Sequence, residues 1–481
     1  MDRRKFLINN SKVAIGMTLI PTAGFSITEN TSSKKIKSNR PPLNERTFTS
    51  DIVESTIKKV KASITDSELA WMFENCYPNT LDTTVDYEVI DGKPDSFVIT
   101  GDIDAMWLRD STAQVWPYMP LINKDPKIKN LILGLINRQV KCILTDPYAN
   151  AFYKDLTRIS KWSSDIPSPK PGVHECKWEI DSLCYFIRLS YYYYEISGDA
   201  SFMDGDWDKA VRLVVDTFRT EQRKDGESPY SFTREHTFVV GLAIFNGSGA
   251  PTKATGMIHS IFRPSDDGTI LPYLIPSNIF AYVSLAQLSE LYAVNKMDAD
   301  FSNECMSFSA EVKSAVEKYA IKEHLDFGKM YAYEVDGFGN ALYMDDANVP
   351  SLMSLAYIGG HEPSDPLYKN TRSFLLSDSN PYFLRGKNVE GQASPHTGKE
   401  NIWPMGIILR GLTSQEDNEI SKCLKMLKTT HADTGFMHES FHKDDPYNFS
   451  RSWFAWANTL FGEFVIKVYN ERPWLLKSNF S

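Results

Sequence analysis

Apolar residues recur at helical spacing in about twelve separate segments, with no regular strand–helix alternation between them. Ile128, Leu131, Ile132, Leu135 and Ile136 show the pattern plainly, an i, i+3, i+4 stripe that needs a second layer to cover it. The spacing predicts helices near 50–77, 105–118, 128–144, 178–197, 207–221, 276–295, 303–322, 347–358, 366–377, 402–412, 415–430 and 451–470. Short strand-like runs sit between them at 97–100, 237–240 and 329–333. No GxGxxG follows a strand and no GxxxxGK[ST] is present, which argues against a doubly wound nucleotide-binding sheet. About twelve helices suit an all-α double ring of six inner and six outer helices with short β insertions, although the count alone establishes only a mostly α chain.

The first residues have another character. Arg3-Arg4-Lys5 precedes the apolar run Val13–Ile20, which is too short to span a bilayer, so residues 1–28 read as a removable twin-arginine export signal. The competing reading is an N-terminal helix that begins with basic residues. Residues 29–44, with Ser32-Ser33-Lys34-Lys35 and Pro41-Pro42, read as a linker, and 45–481 as a single catalytic domain. The expected destination is the periplasm, with no stable membrane anchor once the signal is removed. The whole chain carries a net charge of −9, and the signal holds a surplus of +3, so the remainder stands at −12. No basic stripe offsets that charge, so nucleic acid is not an expected partner. Six cysteines, at 76, 142, 176, 184, 305 and 423, lack CxxC spacing or a nearby histidine cluster. They read as small buried apolar residues, and neither a metal site nor a cofactor is expected.

Chemistry concentrates in blocks that are polar and aromatic together. Residues 101–111 contain Asp102, Asp104, Trp107, Arg109 and Asp110. Such a set offers acceptors for sugar hydroxyls and a ring face for sugar C–H bonds; alternatively, Asp104 caps a helix and Arg109 pairs with Asp110. Residues 174–182 supply His174, Trp178, Glu179 and Asp181, with Trp178 and Asp181 sharing a helix face and Glu179 pointing elsewhere. In Phe262–Gly268, Asp266 and Asp267 stand beside Arg263. One aspartate can pair with the arginine and stay ionised while the other is desolvated and kept protonated as a general acid, or the pair can be an Asx turn. Asn278, in a helix start, is available to a hydroxyl, as are His396 in 394–398 and Trp403 beyond it. Glu439, between His438 and aromatics, can serve as a general base for water or lie on the surface. Two carboxylates from distant parts of the chain, with aromatics and no metal constellation, are what glycoside hydrolysis needs.

Together the blocks GDIDAMWLRDS (101–111), HECKWEIDS (174–182), FRPSDD (262–267), IPSN (275–278), SPHTG (394–398) and GFMHES (435–440) resemble glycoside hydrolase family 125. They fall in order along nearly the whole chain after the linker. The resemblance implies a single (α/α)6 barrel, with exo-acting, inverting, metal-independent action on non-reducing α-1,6-linked mannose of oligomannose or N-glycan type. It places the general acid on Asp266 or Asp267, with Asp266 favoured, and the base on Glu439. The first two blocks would line the pocket for the terminal mannose. The rival expectations are a non-catalytic mannose-oligosaccharide binding protein, another helical-toroid enzyme such as an inverting α-glucosidase or a polysaccharide lyase, and an exported redox protein.

Overall fold

The computed structural model describes residues 37–234 and 247–480, and the main compact unit begins at Ser38. The predicted export signal, the first half of the linker (29–36) and the predicted strand 237–240 lie outside the described residues. Residues 38–44, read as linker, belong to the compact unit. Arg40 is held there by Asp82 (2.7 Å) and by Glu54.

The described residues contain thirteen α-helices: α1 (Asp51–Ser63), α2 (Ser67–Cys76), α3 (Asn79–Thr83), α4 (Leu108–Val115), α5 (Pro126–Thr145), α6 (Ile180–Ser197), α7 (Gly205–Glu221), α8 (Ile275–Val294), α9 (Ala299–Tyr319), α10 (Pro366–Leu375), α11 (Pro404–Leu412), α12 (Asp417–Thr429) and α13 (Ala455–Glu471). Helices α4, α6, α8, α11 and α13 line an inner ring: α13 packs on α4, α4 on α6, α6 on α8, and α11 on α13. Outside them lie α2, α5, α7, α9, α10 and α12, with α9 against α8, α12 against α11, and α2 against α13. The expected double ring is therefore present.

The fourth inner place in chain order is the main departure from the sequence reading. Residues 347–358, predicted to be helical, fold as successive turns. Val349 accepts from Tyr185 of α6, Tyr357 donates to Glu463 of α13, and a Cβ on Gly360 would stand 2.4 Å from Ile279 of α8. A Cβ on Gly406 of α11 would stand 3.5 Å from Ala347, so this segment fills the gap between α8 and α11. Pro350 disfavours the helical conformation at Val349. Asp345 captures the N–H groups of Leu352 and Met353, and Asp346 that of Asn348, so the backbone bonds are made without a helix. A second departure is the split of the predicted 50–77 helix at residues 64–66, where Asp66 accepts from the Glu68 and Leu69 amides and starts α2.

Inner and outer helices differ in kind. On α7, Trp207, Ala210, Val211, Val214, Val215 and Phe218 form one buried stripe, the signature of a helix with one wet face. Inner α8 is buried almost all round. The outer helices α2, α5, α7, α9 and α10 each start on an aspartate whose side chain accepts from a backbone amide. The inner helices start instead on Trp107, Glu179, Leu274, Trp403 and Phe454, none of which makes a side-chain cap. The sequence blocks singled out above lie at or just before these inner starts, and that end of the ring carries the site.

Short hairpins fill the connections. Residues 85–90 pair antiparallel with 93–98, which lie against α5 where a Cβ on Gly134 would stand 2.5 Å from Ser96 Oγ and 3.0 Å from the Asp95 backbone. The predicted strands 97–100 and 329–333 fall on the ends of Lys93–Val98 and Gly328–Tyr331. All six cysteines are buried, in keeping with their reading as small apolar residues, and none is paired with another. Among the described residues no helix is long and apolar enough to cross a membrane.

Candidate active site

At the mouth formed by the inner helix starts, Arg109 organises four carboxylates. It opens α4 with its guanidinium buried, donating through Nη1 to Glu179 (2.5 Å) and Asp181 (3.1 Å) and through Nη2 to Asp266 (3.3 Å). Asp110 lies 3.5 Å from Nε and accepts from the Thr100 hydroxyl. Helix α6 starts at Ile180, so Glu179 and Asp181 flank its first residue and converge on the same cation rather than diverging as the sequence spacing suggested. The Arg109 guanidinium lies 6.0 Å from the Trp456 ring.

Asp266 is set by a tight turn: its amide donates to the Arg263 carbonyl (2.9 Å), and the Arg263 amide donates to the Asp267 carbonyl (2.8 Å). Its φ of +65° is left-handed, a conformation that aspartate tolerates better than most residues. Lys177 fixes it by donating to the Asp266 carbonyl (3.0 Å). The side chain keeps 24% of its surface exposed and meets Arg109 and Asn150 Nδ2 (3.2 Å). Burial alone would push its pKa up, but Lys177 and Arg109 outweigh burial and hold Asp266 well below the usual carboxylate range. Asp267 is buried, 3.0 Å from Nδ1 of His396, and burial pushes it above that range. Arg263 pairs with Glu334 (2.7 Å) and with neither aspartate, contrary to the sequence expectation.

On the loop before α13, Gly435 turns the chain at φ +72°, where a Cβ would stand 2.6 Å from Asn75 and 2.7 Å from Trp71. Asn458 accepts from the Met437 amide (2.7 Å), and His438 donates through Nδ1 to the Arg451 carbonyl (2.8 Å). Glu439 then faces the site with its side chain 10% exposed, accepting from Ser450 (2.9 Å) and lying 3.4 Å from Arg451. Arg451 is also 3.4 Å from the half-exposed Asp102. The Asp266 loop leads into the third inner place and the Glu439 loop into the sixth, so the two carboxylates approach from opposite sides of the ring. Between them is His396. Burial works against its charge, but Asp267, with Asp266 and Glu439 beyond it, holds its pKa above the ordinary imidazole value.

Other sequence candidates lie further out or in the wall. Trp107 packs against His174 at 5.2 Å between ring centroids, and His174 stacks on Tyr153 at 5.1 Å; burial pushes His174 down to about 4. Trp107 Nε1, Ser265 Oγ and Asp267 Oδ2 are buried without a hydrogen-bond partner among the described residues, the kind of atom that a hydroxyl-rich ligand satisfies. Asp104 caps no helix; 68% exposed, it pairs with Arg158 (2.8 Å) on the surface. Trp178 points into the core and donates to the His259 carbonyl (2.8 Å), so it offers no sugar platform. Asn278 spends its amide on the Ile258 amide and on the Ile258 and Leu274 carbonyls, leaving nothing for a substrate hydroxyl. Trp403 donates to Thr397 (2.7 Å) and supports the His396 turn from behind. Sequence reasoning missed Asn150, Lys177, Ser450 and Arg451. Asn150 sits in an ordinary loop and carried no signal; Arg451 beside Trp453 and Trp456 did. Two surface clefts, one at His431 and Tyr447 and one at Tyr331 and His361, share no residue with this site.

Comparison with known proteins agrees with this geometry. Residues 66–466 match the model of the metal-independent α-mannosidase family, GH125. The meiotically up-regulated gene 157 protein of Schizosaccharomyces pombe is 41% identical over 472 residues, covering 94% of this chain and 92% of that protein. A Streptococcus pneumoniae metal-independent α-mannosidase, solved in a non-productive substrate complex with α-1,6-mannobiose, is 38% identical with a TM-score of 0.84, covering 89% of this chain and all of that one. A bacterial glucoamylase complexed with acarbose shares the fold at 14% identity and a TM-score of 0.51, over 87% of this chain and 59% of that one. Ring and comparisons agree: the chain belongs to glycoside hydrolase family 125, the metal-independent α-mannosidases.

Proposed function

We propose that the protein removes non-reducing α-1,6-linked mannose from oligomannose or N-glycan-type substrates, acting from the chain end and inverting the anomeric configuration. The observation that carries this reading is the placement of Asp266 and Glu439 on opposing loops, each partly exposed and each beside an arginine. Asp266 protonates the leaving oxygen and Glu439 takes a proton from the water that attacks C1. The α-1,6 linkage is supported by the mannobiose bound in the Streptococcus pneumoniae relative. Asp266 is preferred to Asp267 as acid because Asp267 is buried and hydrogen-bonded to His396, whereas Asp266 keeps a face on the site. The same reading takes residues 1–28 as an export signal that delivers the enzyme to the periplasm.

Proton NMR of the protein with α-1,6-mannobiose tests this. Early β-mannose is the expected product; early α-mannose refutes inversion, and binding without release refutes hydrolysis of this linkage. Glu439→Gln should lower kcat about 10²–10⁴-fold with KM nearly unchanged, because an amide cannot accept the proton. Asp266→Asn should do the same, and near-full activity there would move the acid role to Asp267.

A further inference from the structure

Asp266 presents a difficulty as an acid, because beside Arg109 and Lys177 it favours the ionised form. The surroundings supply what it lacks. Asn150 Nδ2 lies 3.2 Å from Asp266 Oδ1 and 3.4 Å from Glu179 Oε1, and the two nitrogens of one Arg109 fork hold the same two carboxyls. Glu179 lies behind Asp266 with no exposed side-chain surface, its other oxygen accepting from Ser182 (3.1 Å). We propose that Glu179 holds the proton that Asp266 delivers, the two forming a carboxyl pair of which only Asp266 meets the substrate. This rests on the mannosidase reading above and deepens it.

Charge balance supports the pair. The groups facing it from the α4 start, the α6 start and the neighbouring loops are Arg109, Lys177, Arg234 and His396 against Asp110, Asp165, Glu175, Glu179, Asp181, Asp266 and Asp267. Four cations, with His396 counted as charged, against seven carboxylates would leave a buried excess of negative charge, which a low-dielectric site relieves by keeping protons. Burial drives Glu179 well above its ordinary value in spite of Arg109, with the neighbouring Asp266 carboxylate adding to the rise, whereas Asp266 is held low. In turnover the single proton of the pair passes from Glu179 to Asp266 and from Asp266 to the leaving oxygen. The C1–O bond breaks, water adds at C1, and its proton goes to Glu439. Solvent then returns one proton from Glu439 to the pair. Glu179 is accordingly a positioning residue.

The test compares two substrates with Glu179→Gln. α-1,6-Mannobiose needs its leaving oxygen protonated, whereas the fluoride of α-mannosyl fluoride leaves with little help. Expected are a fall of about 10²–10³-fold in kcat/KM on mannobiose, a change under about tenfold on the fluoride, and an alkaline limb displaced to lower pH. Equal losses on both substrates, or no loss on mannobiose, overturn the proposal. Wild type that releases no mannose overturns the mannosidase reading itself, whereas full activity in Asp266→Asn moves the acid role to Asp267 and overturns the Glu179–Asp266 pair alone. Should Glu179→Gln not fold, carbon NMR of wild type and Asp266→Asn labelled at glutamate Cδ decides. A protonated glutamate carboxyl that responds to Asp266→Asn is expected, with Glu463, pushed up to about 7 by burial, as the unresponsive reference. No responding resonance overturns the proposal.

Discussion

Replacing Arg109 with methionine would leave Asp110, Glu179, Asp181 and Asp266 around a vacated cation position. Breaking a buried ion pair by removing one partner costs about 3–5 kcal/mol, because the remaining charge is uncompensated. The carboxyls can limit that cost by taking up protons. Burial already places Asp110 and Glu179 above the ordinary range and pushes Asp181 up to about 6, and loss of the guanidinium raises all three further. A carboxyl with a higher pKa folded than unfolded holds its proton more tightly in the folded state, so stability falls as pH rises between the two values. The deficit of the variant must therefore widen with pH, by about 1.4 kcal/mol per unit for each proton retained. With an unfolding entropy of about 2.1 cal/mol/K per residue over roughly 440 residues, 1 kcal/mol corresponds to about 1 °C. Scanning calorimetry of both proteins should show Tm lower by about 3–5 °C at pH 7, with the gap smaller by about 1–3 °C at pH 5. A gap that is constant, or that narrows as pH rises, would refute the electrostatic account.

Three further outcomes are expected. Asn278→Ala should lower stability by about 1–3 kcal/mol in denaturant titration, by orphaning the Ile258 amide and two carbonyls, while KM stays unchanged. Glu463→Gln should raise stability at pH 8 by about 1–3 kcal/mol and leave it unchanged at pH 4.5. Burial lifts the Glu463 pKa to about 7, so its cost to stability grows as pH rises from the ordinary glutamate value to about 7 and is constant above it, and urea unfolding at the two pH values checks the sign. Gly435→Ala should cost about 2 kcal/mol or more, from a left-handed φ and a Cβ 2.6 Å from Asn75. Because this turn leads to Glu439, kcat measured on folded protein should fall as well.

The ring was legible because its helices carry unbroken apolar periodicity, and the acidic blocks were legible because carboxylate and aromatic residues are dense in them. What failed were inferences about direction. Trp178 and Asn278 are of types that bind sugars, but one fills the wall and the other ties a loop to α8. Spacing on a helix placed Glu179 away from Asp181, but α6 begins between them and one arginine gathers both. Residues 347–358 have helical composition, and two adjacent aspartates redirect their backbone. Asn150 was invisible because it acts only through neighbours brought to it from Glu179 and Asp266, distant in the chain.

The unequal capping of the two rings bears on how this enzyme could be hardened. An aspartate, serine or asparagine cap is worth about 0.5–2 kcal/mol, and the inner helices forgo it at five successive starts. Those vacancies are tempting targets for thermostabilisation, yet each lies at the end of the ring that carries the candidate site, where a new carboxylate would add to an already crowded negative field. Outer helix α12, which starts at Glu416 without a side-chain cap, offers the same gain away from the catalytic mouth. Durability and turnover are thus written into different rings, and one can be revised with little risk to the other.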